Sequence, residues 1–146
     1  MPLTVQDIIP CRVGWPMRLV QYGARVPAGF PSPAEDFIED HLDLNEHLIH
    51  HPAATFFVRA SGQSMVNAGI FDGDLLIVDR ALSPQDGDIV IAVLFGELTV
   101  KRIRKRRDRL LLEPENAVYP VIEVPQEADF QVWGVVTNAI HRLVRR

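Results

Sequence analysis

Beyond Pro52 the chain breaks into apolar runs too short for ordinary helices, each closed by turn residues. The runs at 55–60, 75–79, 88–94, 97–105, 110–112 and 130–143 are separated by turns such as Asp72-Gly73, Gln85-Asp86-Gly87 and Phe95-Gly96. Apolar segments of this length, bounded by Gly and Asp, are strand signals, and their short separations favour antiparallel pairing. They predict a compact, mainly antiparallel β domain. The residues ahead of it read differently. Six of the eleven prolines fall within residues 1–34, with Gly14, Gly23 and Gly29 among them. Each proline lacks an amide donor and fixes its own φ, which disfavours continuous helix or central strand. An extended, mobile N-terminal arm is expected there, too short for a three-helix DNA-reading domain. Between arm and strands, Ala34, Phe37, Ile38, Leu42, Leu44, Leu48 and Ile49 recur at near-helical spacing, with Glu35 and Asp36 in the first turn. One or two short helices are expected in this region.

A length of 146 residues with 47% apolar content suits one domain plus a tail. The single cysteine, Cys11, excludes an internal disulfide, cannot hold a metal alone, and fits a reducing cytoplasm as an inert tail residue. No apolar stretch approaches the roughly 20 residues of a membrane span. Val26-Pro27-Ala28 ends like a signal-peptidase site, but Asp7, Arg12, Arg18 and Arg25 interrupt the segment before it, so no secretory signal is expected. Charge is unevenly distributed. Residues 1–100 carry five basic and thirteen acidic side chains, whereas residues 101–146 carry ten basic and six acidic. Seven of those ten lie between Lys101 and Arg109. Such segregation can attract an acidic partner or nucleic acid, but no aromatic side chain interleaves with the run to stack on bases. A solvated strand end is the simpler reading, and direct DNA contact is left open.

Ser64 and Lys101 carry the candidate chemistry. A serine hydroxyl needs a neighbouring base, and lysine serves only when neutral, against an unperturbed pKa near 10.4. Burial against apolar surface supplies the required shift. Lys101 stands in a strand-like run beside Val100 and Ile103, and the chain holds only two lysines, Lys101 and Lys105, against thirteen arginines, which cannot act as bases. Ser64 follows Gly62 and precedes a stretch, 66–73, that reads as a short turn or helix, which makes the backbone amides at Gln63 and Ser64 candidates for an oxyanion hole. Val66 occupies the second glycine position of G-x-S-x-G, and no lysine stands three residues after Ser64, so neither of those hydrolase patterns fits. By themselves these residues leave a purely structural Ser64 open.

Other clusters have simpler explanations. His41, His47, His50 and His51 lack the glutamate of H-E-x-x-H and read as a polar surface; His141, among apolar neighbours, reads as packed or partly exposed. Asp72-Gly73-Asp74 and Asp86-Gly87-Asp88 lack the spaced ligands of a calcium loop and read as turns. No metal or cofactor is implied.

Ser61-Gly62-Gln63-Ser64-Met65, the segment Asp72 to Asp79, Gly87-Asp88-Ile89-Val90 and Thr99-Val100-Lys101-Arg102 together resemble the self-cleaving domain of the LexA and UmuD family of SOS-response proteins. The spacing of 37 residues from serine to lysine is also the family's, and the likeness runs from about Gly29 to about Val144. Gly29-Phe30-Pro31-Ser32-Pro33-Ala34 and Asp43-Leu44-Asn45 resemble the UmuD branch. The resemblance implies a β domain of the LexA and signal-peptidase type, with Ser64 as nucleophile and Lys101 as general base. Val26-Pro27-Ala28-Gly29-Phe30 matches the family's cleaved segment, although UmuD itself has cysteine before the bond. Cleavage between Ala28 and Gly29 would divide the chain into an arm, 1–28, and a protease-like domain, 29–146. The resemblance further implies a homodimer, stimulation by RecA filaments on single-stranded DNA, and service of the product to a UmuC-like error-prone polymerase. A non-catalytic dimerisation and polymerase-docking module, or a fragment of a LexA-like repressor, are the alternatives.

Overall fold

The computed structural model describes residues 4–14, 18–22 and 38–146. Two units are formed, one by residues 1–11 with 51–146 and the other by residues 12–50. In the smaller unit, β2 (Arg18–Tyr22) pairs antiparallel with β3 (Ile38–Asp43), from Arg18 opposite Asp43 to Tyr22 opposite Ile38. A single-turn helix, α1 (Leu44–Leu48), follows; its first turn is capped by the Asp43 carboxylate, which accepts the Asn45 amide at 3.0 Å.

The larger unit contains β1 (Thr4–Pro10), β4 (Thr55–Ser61), β5 (Leu75–Asp79), β6 (Ile89–Leu94), β7 (Glu97–Arg106), β8 (Arg109–Glu113), β9 (Ile122–Glu123) and β10 (Phe130–Ile140). Their order across the sheet is β1-β4-β5-β10-β6-β7-β8-β9, and β1 also bridges to β7. Every pairing is antiparallel. The expected mainly antiparallel β domain is therefore present, with strand bounds within a few residues of those read from the sequence.

Side-chain alternation builds the core on both sides of this sheet. On β6, Ile91 joins Val58, Met65, Leu76 and Val100 on one side, while Val90 and Ala92 join Ile103, Leu112 and Val135 on the other. A strand covered on both faces needs no polar alternation, which explains the unbroken apolar run from Ile89 to Leu94. Phe95 (φ 51°) and Gly96 (φ 78°) make the two-residue loop that joins β6 to β7, with Leu94 opposite Glu97. Positive φ at both positions is the turn form that matches strand twist.

Two expectations for the first fifty residues differ from what is observed. Residues 4–10 and 18–22 of the anticipated arm are strands. Proline is compatible with β1 because Pro10 sits at its end and the strand lies along the outside of β4. Residues 38–43, expected to be helical, form β3, and only Leu44–Leu48 is helix. Pairing with β2 overrides a local periodicity of only a few residues. Residues 34–37 of that expected helix lie outside the described residues.

Gly134 marks the tightest crossing, between β10 and β5. A Cβ there would lie 2.5 Å from Val78 Cγ1 and 3.2 Å from Arg80 Cγ. Gly134→Ala is expected to lower stability by about 1–3 kcal/mol, the usual cost of overpacking a core. A urea titration checks this through a lowered midpoint at unchanged slope.

Candidate active site

The loop leaving β4 is tied down at several points before it reaches Ser64. Gly62, at φ 103°, takes a conformation open mainly to glycine, and its amide donates to Asp72 Oδ1 at 2.8 Å. The Gln63 carbonyl accepts from Asn116 Nδ2 at 2.9 Å, and the Asn67 amide donates to the Glu115 carbonyl at 2.9 Å. The loop thus hangs between the 71–74 turn and the segment after β8. Met65, fully buried, anchors the next turn, Val66–Ala68. Ser64 is itself fully buried.

Lys101 reaches the same point from β7. Only 4% of it is exposed, and burial pushes its amine from the usual lysine range down to about 8. Its Nζ donates to Ser64 Oγ at 3.3 Å, to Thr99 Oγ1 at 2.9 Å and to the Val100 carbonyl at 3.1 Å. Three oxygens suit an ammonium with three N–H donors. A neutral amine has two donors and one lone pair. With Thr99 Oγ1 and the Val100 carbonyl taking the two hydrogens, the lone pair of the neutral form faces Ser64 Oγ.

The Gln63–Ser64 peptide, like every other described one, is not cis. In a trans peptide the carbonyl and the following N–H point in opposite directions. Fixing the Gln63 carbonyl on Asn116 therefore turns the Ser64 N–H away from that segment. Beside Lys101 an apolar groove of about 510 Å³ opens between Thr4, Leu94, Leu98, Thr99, Pro120 and Ile122.

The structure brings Ser64, Lys101 and Gln63 together; Ala28 and Gly29 lie outside the described residues. Sequence reasoning missed Thr99 and Asn116. Thr99 shares a strand face with Lys101, so period-two spacing was its available signal, whereas Asn116 is distant in sequence and carried none. His51 and His141 are bound to carboxylates instead. His51 Nδ1 is 2.6 Å from Asp79 Oδ2, and His141 Nδ1 is 2.6 Å from Asp74 Oδ1. The Asp-Gly-Asp triplets act as turn braces: Asp74 Oδ2 accepts the Phe71 amide and Asp88 Oδ2 the Gln85 amide, both at 2.8 Å.

The basic run is largely paired. Arg102 meets Glu115, Arg104 meets Glu113 at 2.9 Å, Arg106 meets Asp86 at 3.3 Å, and Arg109 holds Glu123 at 2.9 and 3.1 Å. The Lys105 amide and Arg106 keep the Asp86 carboxyl below its ordinary range. Half-buried Cys11 has its thiol raised by burial, the direction that makes it less reactive.

Residues 19–137 match the Peptidase S24-like family. The chain is 52% identical over 126 residues to protein ImpA of Salmonella typhimurium, covering 83% of this chain and 82% of that protein. Protein SamA of Salmonella typhimurium strain LT2 is 53% identical over 118 residues, 81% of each chain. A LexA repressor of Geobacter sulfurreducens is 39% identical over 114 residues, 77% of this chain and 56% of the repressor. The resemblance first carried by the serine and lysine segments thus extends over most of the chain, which belongs to the Peptidase S24-like family of serine proteases.

Proposed function

We propose that this chain is a UmuD-like SOS-response protein that cuts its own backbone between Ala28 and Gly29, with Ser64 as nucleophile and Lys101 as general base. The contact of 3.3 Å between Lys101 Nζ and Ser64 Oγ, in a site where burial favours the uncharged amine, carries this reading. In the first step neutral Lys101 takes the Ser64 proton while Oγ attacks the Ala28 carbonyl carbon. The oxyanion that forms is met by the amides of Ser64 and Gln63. Its collapse breaks the bond to Gly29, whose nitrogen leaves with the proton held by Lys101. Water, deprotonated by Lys101, then hydrolyses the acyl ester and frees the Ala28 carboxylate. Small residues at the bond, and the prolines at 27, 31 and 33, suit an extended segment entering the apolar groove beside Lys101. Tethering supplies a high local concentration of substrate, so weak recognition suffices.

In the cell, in this reading, the cut is an irreversible switch in the cytoplasm. RecA filaments on single-stranded DNA stimulate it, and the product, a homodimer, serves a UmuC-like polymerase in error-prone lesion bypass. Residues 1–28 form the removed part and 29–146 the working domain. Among the described residues no helix is long and apolar enough to cross a membrane.

Ser64→Ala and Lys101→Ala are each expected to abolish a product beginning at Gly29 while leaving the unfolding transition cooperative. Mass spectrometry after alkaline incubation checks this, and continued cleavage in either variant defeats the assignment. The pH dependence follows from the lysine. Since only the neutral amine accepts the proton, unstimulated cleavage should rise about tenfold per pH unit below about 8 and level above it. A rate independent of pH between 7 and 9 contradicts a lysine base. Asn116→Ala should slow cleavage about tenfold by loosening the peptide that aims the Ser64 amide, whose Gln63 carbonyl then keeps only the longer bond of 3.4 Å from the Val66 amide, with the midpoint of the pH profile unmoved. Single-time-course rates across that pH range separate this effect from a change at Lys101.

A further inference from the structure

The strand order closes on itself through β1. From β1 the ladder runs through β4, β5, β10 and β6 to β7, and Thr99 of β7 pairs back to Thr4. The closing strand is the one reached from the rest of its unit only through residues 12–50. It is held chiefly by its main chain. Ile8 and Ile9 are 41% and 52% exposed, and among its described side chains Val5 packs against the core.

The register shows how it is held. The Cys11 amide donates to the Thr55 carbonyl at 3.0 Å, and Pro10, Ile9 and Ile8 stand opposite Phe56, Phe57 and Val58. Bonded and non-bonded pairs alternate along an antiparallel ladder. Ile9 therefore turns its N–H toward β4, while Ile8 and Pro10 turn away from it. Pro10, with no N–H to give, occupies a position where none is used. A register shift between Val5 and Asp7 brings Thr4 opposite Ser61, with their hydroxyl oxygens 2.7 Å apart. Ser61 of this anchor lies three residues before Ser64, and Thr4 also pairs with Thr99, whose hydroxyl accepts from Lys101.

We propose that the outer edge of β4, with Thr99, is a strand-binding slot whose ligand is the segment 4–11 of the same chain, and that this segment stays seated after the backbone between residues 22 and 38 is cut. The ladder bonds do not pass through the cut region, so cutting removes the tether and leaves the contacts in place. Its setting rests on the proposed self-cleavage: scission at Ala28-Gly29 then yields a two-chain complex, and release of the N-terminal peptide is a second, separable step. Until that step, the β4 edge is closed to any other extended segment that would add to the sheet.

The test does not depend on self-cleavage. A full-length Ser64→Ala chain, carrying the recognition sequence of an unrelated site-specific protease beside residues 28 and 29, is nicked and followed by native mass spectrometry at a fixed micromolar concentration. The expected result is a two-chain species. Ile9→Pro, which removes a ladder donor, should reduce that species about tenfold, whereas Ile8→Pro, whose N–H faces away, should leave it within about twofold. Complete separation of the nicked Ser64→Ala chain without a proline substitution, or equal losses in the two proline variants, overturns the slot. Failure of the unmodified chain to cut itself bears only on the proposed protease activity.

Discussion

Burying one amine is the constraint on which the site depends. An ammonium group with almost no solvent contact loses most of its hydration, and proteins meet that cost by supplying acceptors or by letting the proton go. Here both routes are open. Lys101 finds oxygens at Thr99, Val100 and Ser64, and its burial brings the neutral form within reach of ordinary pH. In the neutral form two of these acceptors, Thr99 Oγ1 and the Val100 carbonyl, can take both amine hydrogens, leaving a lone pair for Ser64. Geometry and protonation are thus set by a single strand, β7, whose outward neighbours hold it in place on both sides.

A serine opposite this lysine has to be fixed by groups that are not themselves reactive. Asp72, Asp74 and Asp79 do this kind of work in the larger unit. Asp72 receives the Gly62 amide, Asp74 the Phe71 amide and a His141 nitrogen, and Asp79 the Ala81 amide and a His51 nitrogen. Carboxylates taking backbone amides at strand ends form charge-assisted bonds that hold turns in one shape. Asp72, Asp74 and Asp79 are three of the thirteen acidic residues among the first hundred. In the basic run that follows, Arg102, Arg104, Arg106 and Arg109 are paired with Glu115, Glu113, Asp86 and Glu123 across the β7–β8 hairpin and its neighbours.

How much was legible in the sequence varied with the range of the interaction. The strands from Thr55 onward could be read because burial on one or both faces writes itself into the period of apolar residues, and turns such as Phe95-Gly96 stop them. Residues 38–43 were misread because six residues carry too little periodicity to outweigh a partner, β2, that only the fold supplies. Prolines rightly argued against a central strand near the N-terminus, yet Pro10 sits in β1 at a position that asks for no donor. That distinction depends on register, which a composition of prolines does not encode.

The sequence alone determined the β class and the exclusion of other hydrolase patterns, because these follow from residue type and spacing along the chain, while the pairing of Ser64 with Lys101 was implied by resemblance to a known family. Tertiary structure decided what spacing cannot: that Ser64, Thr99 and Val100 together receive the Lys101 amine, that Asn116 holds the Gln63 carbonyl, and that β1 closes the ring beside them. Each of these joins atoms through directions of donors and acceptors, and those directions exist only once distant strands have come into register.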